Sequence, residues 1–124
     1  MKKILYFMIA LMVITFYSCS PNTPQGVVKT YLKEIKKGEY EKAISNFDIT
    51  DSLSQKNVKM IAGVLDNEIS SKNGISKFKI TKQKLSENKN SGNVEAKVYY
   101  CNNTEDVLNF QMIKIEGKWK IKAK

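Results

Sequence analysis

The hydrophobic pattern changes character twice along the chain. Residues 4–16 form an apolar run behind Lys2 and Lys3, and a polar stretch with two prolines, 20–24, follows it. From there to about residue 71 apolar side chains recur at helical spacing. Val27, Val28, Tyr31, Leu32 and Ile35 mark a first helix, with Thr23 as N-cap, Pro24 at the first helical position and Gly38 as a left-handed C-cap. Tyr40, Ala43, Ile44 and Phe47 share one face of a second helix, which 48–52 breaks. A third helix is predicted from about Leu53 to Ser71, with Val58, Ile61, Val64, Leu65 and Ile69 facing inward and Asn73-Gly74 ending it.

Beyond Gly74 the period falls to two. Phe78 and Ile80 alternate with Lys77, Lys79 and Lys82, and a polar turn occupies 87–93. Val94, Ala96, Val98 and Tyr100 form a second alternating run, and 102–106 is another turn. Leu108, Phe110 and Met112 follow, with Ile113 and Ile115 on the opposite parity, which predicts a bulge or twist there. Glu116-Gly117 turns the chain into a last strand with Trp119, Ile121 and Ala123. Helices first and an antiparallel meander after give an α+β fold with the helices on one sheet face.

The first 18 residues read as an export signal: a charged start, a short apolar run and the small Ser18 before Cys19. The run is shorter than the roughly 20 residues a spanning helix needs. A cysteine at this place matches a bacterial lipoprotein signal. Its thiol would be diacylated and the chain cut before it, and two or three acyl chains anchor where one would not. The competing reading is ordinary secretory cleavage after Ser20, with Pro21 next to the cut. The expected division is a signal peptide over 1–18, a lipidated Cys19 and tether over 19–22, and an α+β domain over 23–124. Ser20 stands where aspartate retains lipoproteins in the inner membrane of many Gram-negative bacteria, so a cell-envelope location, the outer membrane in such a cell, is expected.

Charge narrows the partners. All 21 basic residues are lysine against 12 acids, for a net +9, and histidine is absent. Arginine is the usual bidentate partner of guanine edges and phosphates, so no nucleic-acid partner is expected. The lysines are spread along the chain and read as a solvated surface, or as weak attraction to anionic headgroups or glycans beside an anchor. With Cys19 acylated, Cys101 stands alone, read as a half-buried small hydrophobe at a strand end.

The chain carries no strong catalytic signature. Without histidine, and with one spare cysteine, no transition-metal cluster is expected. There is no glycine-rich phosphate loop and no nucleophile motif, and no cofactor is expected. An enzyme would need a carboxylate inside an apolar cavity, and only Glu68, three residues after Leu65, comes near the inner face. The aromatics Tyr31, Phe47, Phe78, Tyr100, Phe110 and Trp119 are expected to point to the interior, as core or as the lining of a pocket.

The order of these parts resembles a bacterial family of small exported domains of unknown function with the nuclear transport factor 2-like fold. The resemblance rests on the helix junction Gly38-Glu39-Tyr40-Glu41-Lys42-Ala43 and the closing Glu116-Gly117-Lys118-Trp119-Lys120-Ile121. It implies a cone-shaped roll, with a curved four-stranded sheet around the long helix. The fold hosts isomerases, dehydratases, binding proteins and oligomerisation modules, so it does not choose among functions. The expected role is a lipid-anchored, non-catalytic binding or accessory domain, with a small apolar ligand or an envelope protein as partner. The alternatives are a dimerising structural subunit and, further off, an enzyme using the cone.

Overall fold

The computed structural model describes residues 22–49 and 52–123. The expected signal segment and Cys19 lie outside the described residues. Three helices precede four strands: α1 (Pro24–Lys37), α2 (Tyr40–Ile44), α3 (Gln55–Ser71), then β1 (Ile75–Leu85), β2 (Ser91–Tyr100), β3 (Glu105–Ile115) and β4 (Lys118–Ile121). The strands form one antiparallel meander in the order β1-β2-β3-β4. The fold is thus α+β, with N-terminal helices and a four-stranded antiparallel sheet.

Local chemistry sets the limits of α1. The Thr23 hydroxyl accepts from the Gly26 amide at 3.1 Å, and Pro24 follows where its missing N–H costs nothing. At the other end Gly38 sits at φ 80°, and Glu39 N–H donates to the Glu34 carbonyl at 2.8 Å. Val28, Leu32 and Ile35 on one face of α1 are buried with Val94, Ala96, Val98, Met112, Trp119 and Ile121 from the sheet. Each such side chain contributes about 1.5–3 kcal/mol when removed from water.

The sheet corrects one expectation. β3 pairs with both neighbours without a register shift, so there is no bulge near Met112. Ile113 and Ile115 lie on the outer face of a regular strand. The irregularities are in β1, between Ile75 and Lys77 and between Ile80 and Lys82. An edge strand can bend this way because only one neighbour constrains it. Gly92 of β2 faces Leu85 across the end of this strand, and a Cβ there would meet the Lys84 carbonyl at 2.5 Å, so only glycine fits.

The helices correct two more. α2 ends at Ile44, and Phe47 lies beyond it in an isolated parallel bridge to Ile121. Asp48 N–H donates to the Ile121 carbonyl at 2.9 Å and Ile121 N–H to the Asn46 carbonyl at 2.8 Å. A ladder edge thus takes residues that a helix would otherwise hold. α3, the longest helix, does not lie in the cradle of the sheet. It leans mainly on α2, and none of its residues is fully buried. Val64 is 61 % exposed and Met60 59 %, and Ile61 is also exposed, while Leu65 and Ile69 are half-buried against the core. The shorter α1 occupies the cradle.

This division predicts unequal costs. Trp119→Ala should lower the unfolding free energy by about 3–5 kcal/mol, and Val64→Ala by no more than about 0.5 kcal/mol. Denaturant unfolding of the two variants measures both. Similar losses would contradict the placement of the core.

Candidate functional site

The part of the surface best suited to bind something is an apolar cleft where the three helical segments meet. α1 supplies Tyr31, α2 supplies Ile44, and the segment after α2 supplies Phe47 and Ile49. Leu53 precedes α3, which adds Ile61 and Leu65, and Ala123 closes the side next to β4. The cleft volume is about 210 Å³. Ile49 and Ile61 are exposed at its mouth. A larger hollow of about 470 Å³ between residues 38–42 and α3 is broad and open, and is lined by Glu39, Glu41, Lys42 and Asp66 among others.

Aromatic stacking fixes the cleft floor. The Tyr31 ring stands edge-on to Phe47, with centroids 5.4 Å apart at 85°, and to Phe110 at 5.7 Å and 71°. Such edge-to-face pairs are the geometry the ring quadrupoles prefer. The phenol of Tyr31 is pushed up to about 12, chiefly by burial, then by the negative charge of Glu68 and by Tyr100. The floor therefore carries a neutral hydroxyl across the physiological range. Glu68 itself is exposed on α3.

The six aromatics do not share one cavity. Tyr31, Phe47 and Phe110 form the cluster just described. Tyr100 is buried where β2 runs into the β2–β3 turn, outside the cleft lining but near enough to act on the Tyr31 phenol, with the Lys72 ammonium 4.5 Å above its ring. Lys72 also pairs with Asp106 at 3.2 Å, and that bond is the main reason its own pKa rises. Phe78 is half-buried on β1, opposite Val98. Trp119 is buried near the Gly117 turn, and its backbone N–H donates to the Asn22 side-chain oxygen at 3.1 Å.

One acid escaped the sequence reading. Glu34 is buried on α1, and its Oε1 accepts from Asn46 Nδ2 at 2.7 Å. Asn46 Nδ2 also donates to the Ala43 carbonyl at 2.9 Å. The Asn46 side-chain amide thus ties α1 to α2, and its backbone carbonyl, accepting from Ile121 N–H, ties the same residue to β4. Nothing in the run Lys33-Glu34-Ile35-Lys36 distinguishes Glu34 from its solvated neighbours, because its partner is contributed by another element. Glu34 does not line the cleft. Cys101 also differs from expectation: it is exposed in the turn after β2, with its N–H donating to the Gly74 carbonyl at 2.9 Å. The turn takes it off the sheet face before it can be covered. Among the described residues no cluster of three potential metal ligands occurs.

Residues 17–122 match the family model described as "Domain of unknown function (DUF4878)". No curated protein matches the chain. Among solved structures, the fold is similar to that of a Campylobacter jejuni protein described as a "putative NTF2-like transpeptidase". The TM-score is 0.65 at 16 % identity, over 82 % of this chain and 99 % of that one. At that identity the likeness shows the NTF2-like fold alone. The intermembrane space region of the chloroplast protein ARC6 matches with a TM-score of 0.39 at 13 % identity, over 77 % of this chain and 90 % of that one, and carries no argument.

The Tyr31 environment gives a spectroscopic prediction. In an alkaline titration followed by phenolate absorbance, one tyrosine should ionise near pH 12, well after an ordinary phenol near 10. Tyr31→Phe should remove that late phase. Because the folded pKa is raised, the associated stability is complete below about pH 10 and is lost as the pH climbs through about 12. A wild-type curve with no phase later than pH 11 would contradict the buried position.

Proposed function

The chain belongs to the family described as a domain of unknown function, DUF4878, and on that premise we propose that it is a lipid-anchored, extracytoplasmic, non-catalytic binding domain that receives an apolar group of an envelope protein. The observation that carries this reading is the cleft over Tyr31 and Phe47, with exposed Ile49 and Ile61 at its mouth. Its volume is below the roughly 300–1,000 Å³ of pockets for drug-sized ligands. It suits one ring or one bulky side chain. Met60 and Val64 are exposed on the same helix and extend the apolar surface, and methionine adapts to partners of varied shape.

The anchor half of the reading rests on sequence: the short apolar run, Ser18 and Cys19. The activity in the Campylobacter protein's description is not carried over. The buried carboxylate of Glu34 is held by Asn46 and is absent from the cleft lining. A second copy of this chain is the alternative occupant, favoured by the same exposed Met60 and Val64.

The test uses native protein from its host, with a photo-crosslinking residue in place of Ile61 or, as a control on the outer sheet face, of Val107. Intact mass should show an acylated N-terminus at Cys19 and detergent-phase partitioning, both lost in Cys19→Ala. Position 61 should give a discrete adduct that position 107 does not, and adduct mass separates a different protein from a second copy. An unmodified N-terminus at Pro21 would overturn the anchor. Equal labelling at 61 and 107, or none at 61, would overturn the cleft.

A further inference from the structure

The start of the described chain is fastened to one end of the sheet. Asn22 Oδ1 accepts from the Trp119 amide at 3.1 Å, and its Nδ2 donates to the Gly117 carbonyl at 2.7 Å. These bonds continue the β4 edge by one residue and hold Asn22 at the β3–β4 turn. Cys19 is three residues earlier, so the chain between them reaches at most about 11 Å. The β1–β2 turn lies at the same end, because both hairpins point the same way and Lys114 N–H donates to the Asn90 carbonyl at 2.8 Å.

That end carries a net positive charge. Lys84, Lys89, Lys114 and Lys118 are exposed there, with Glu87 and Glu116 as the acids in the two turns. Among the described residues the ion pairs lie elsewhere: Lys42 with Glu39, Lys72 with Asp106, and Lys97 with Glu105. At the opposite end, around the β2–β3 turn, Asp106 and Glu105 are both taken up in the last two of these pairs, and the remaining Lys77 ammonium stands 4.9 Å over the Tyr99 ring. Leu85 and Ile115, exposed apolar residues, sit among the four lysines. The lysines of β1 also protect a free sheet edge, but Lys89, Lys114 and Lys118 are not on that edge.

We propose that this end of the sheet is the membrane-facing surface of the domain, in contact with anionic lipid headgroups. The inference rests on the acylation of Cys19 proposed above. Acylation would hold the four lysines close to the headgroups, on the scale of the roughly 8 Å Debye length at physiological ionic strength, where a surface potential is still felt. The Asn22 clamp fixes the point at which the chain from Cys19 joins the fold. The β2–β3 turn then points away from the bilayer.

Trp119, the single tryptophan of the chain, lies beside the clamp and reports the orientation. The acylated protein would be reconstituted into phosphatidylcholine vesicles containing phosphatidylglycerol and a trace of dansyl-headgroup lipid. Energy transfer from Trp119 should be high at low salt. Gln substitution of Lys84, Lys89, Lys114 and Lys118 together should reduce it at least twofold. An equal change of charge on α1, with Lys29, Lys33, Lys36 and Lys37 made Gln, should leave it within about a fifth of wild type. Equal falls in both variants, or equal transfer in pure phosphatidylcholine, would overturn the orientation. Flotation separates the two levels: a protein that stays with the vesicles and shows low transfer contradicts the orientation alone, and one that fails to float contradicts the anchor and the orientation with it.

Discussion

The structure depends on the seating of one helix. Val28, Leu32 and Ile35 of α1 fill the hollow face of the sheet, and nearly every other feature is attached to that contact. The sheet's inner residues Val94, Ala96 and Val98 are fully buried only because α1 covers them. The cleft floor is part of the same contact, since Tyr31 lies one residue before Leu32 and is braced by Phe110 from β3. Interiors of this kind are packed tightly enough that a change of one side chain is felt by its neighbours.

Polar clamps convert that packing into a defined arrangement of elements. Asn46 joins α1, α2 and β4 with three hydrogen bonds around a buried carboxylate. Asn22 does the same for the chain entry and the β3–β4 turn. In a low-dielectric setting such bonds cost more to lose than they contribute when made, because a bared acceptor keeps its desolvation penalty. They therefore fix geometry more than they add stability. α3 is tied to the sheet at its C-cap, where Lys72 pairs with Asp106 and the Lys72 carbonyl accepts from Asn102 N–H, and its apolar residues are at most half-covered. It is the least buried of the three helices, and it forms one wall of the cleft.

Much of this was legible in the sequence, and the failures have physical causes. The change of period at Gly74 located the boundary between helices and strands, and Thr23, Pro24 and Gly38 bounded α1, since caps depend on near neighbours only. The alternation of Val94, Ala96, Val98 and Tyr100 identified the buried face of β2. The role of α3 was misread because Val58, Ile61, Val64, Leu65 and Ile69 have helical spacing whether or not anything covers them. Phe47 was assigned to a helix because its competing partner, Ile121, is far away in the chain. Ile113 and Ile115 suggested a bulge because apolar residues on an outer face look like a change of parity. Of the candidate site, Tyr31 and Phe47 were anticipated, but their meeting with Ile49 and Leu53 was not. Glu34 could not be singled out without knowing where Asn46 lies.

The central claim is that a well-packed unit of α1 and sheet supports a loosely held α3 over an apolar cleft. Native-state hydrogen exchange, read segment by segment, tests it most directly, because protection reports the free energy of local opening. The account predicts that amides of α1, β2 and β3 exchange only through global unfolding, while those of α3 exchange at least a hundredfold faster through local opening. Protection of α3 equal to that of α1 would contradict it.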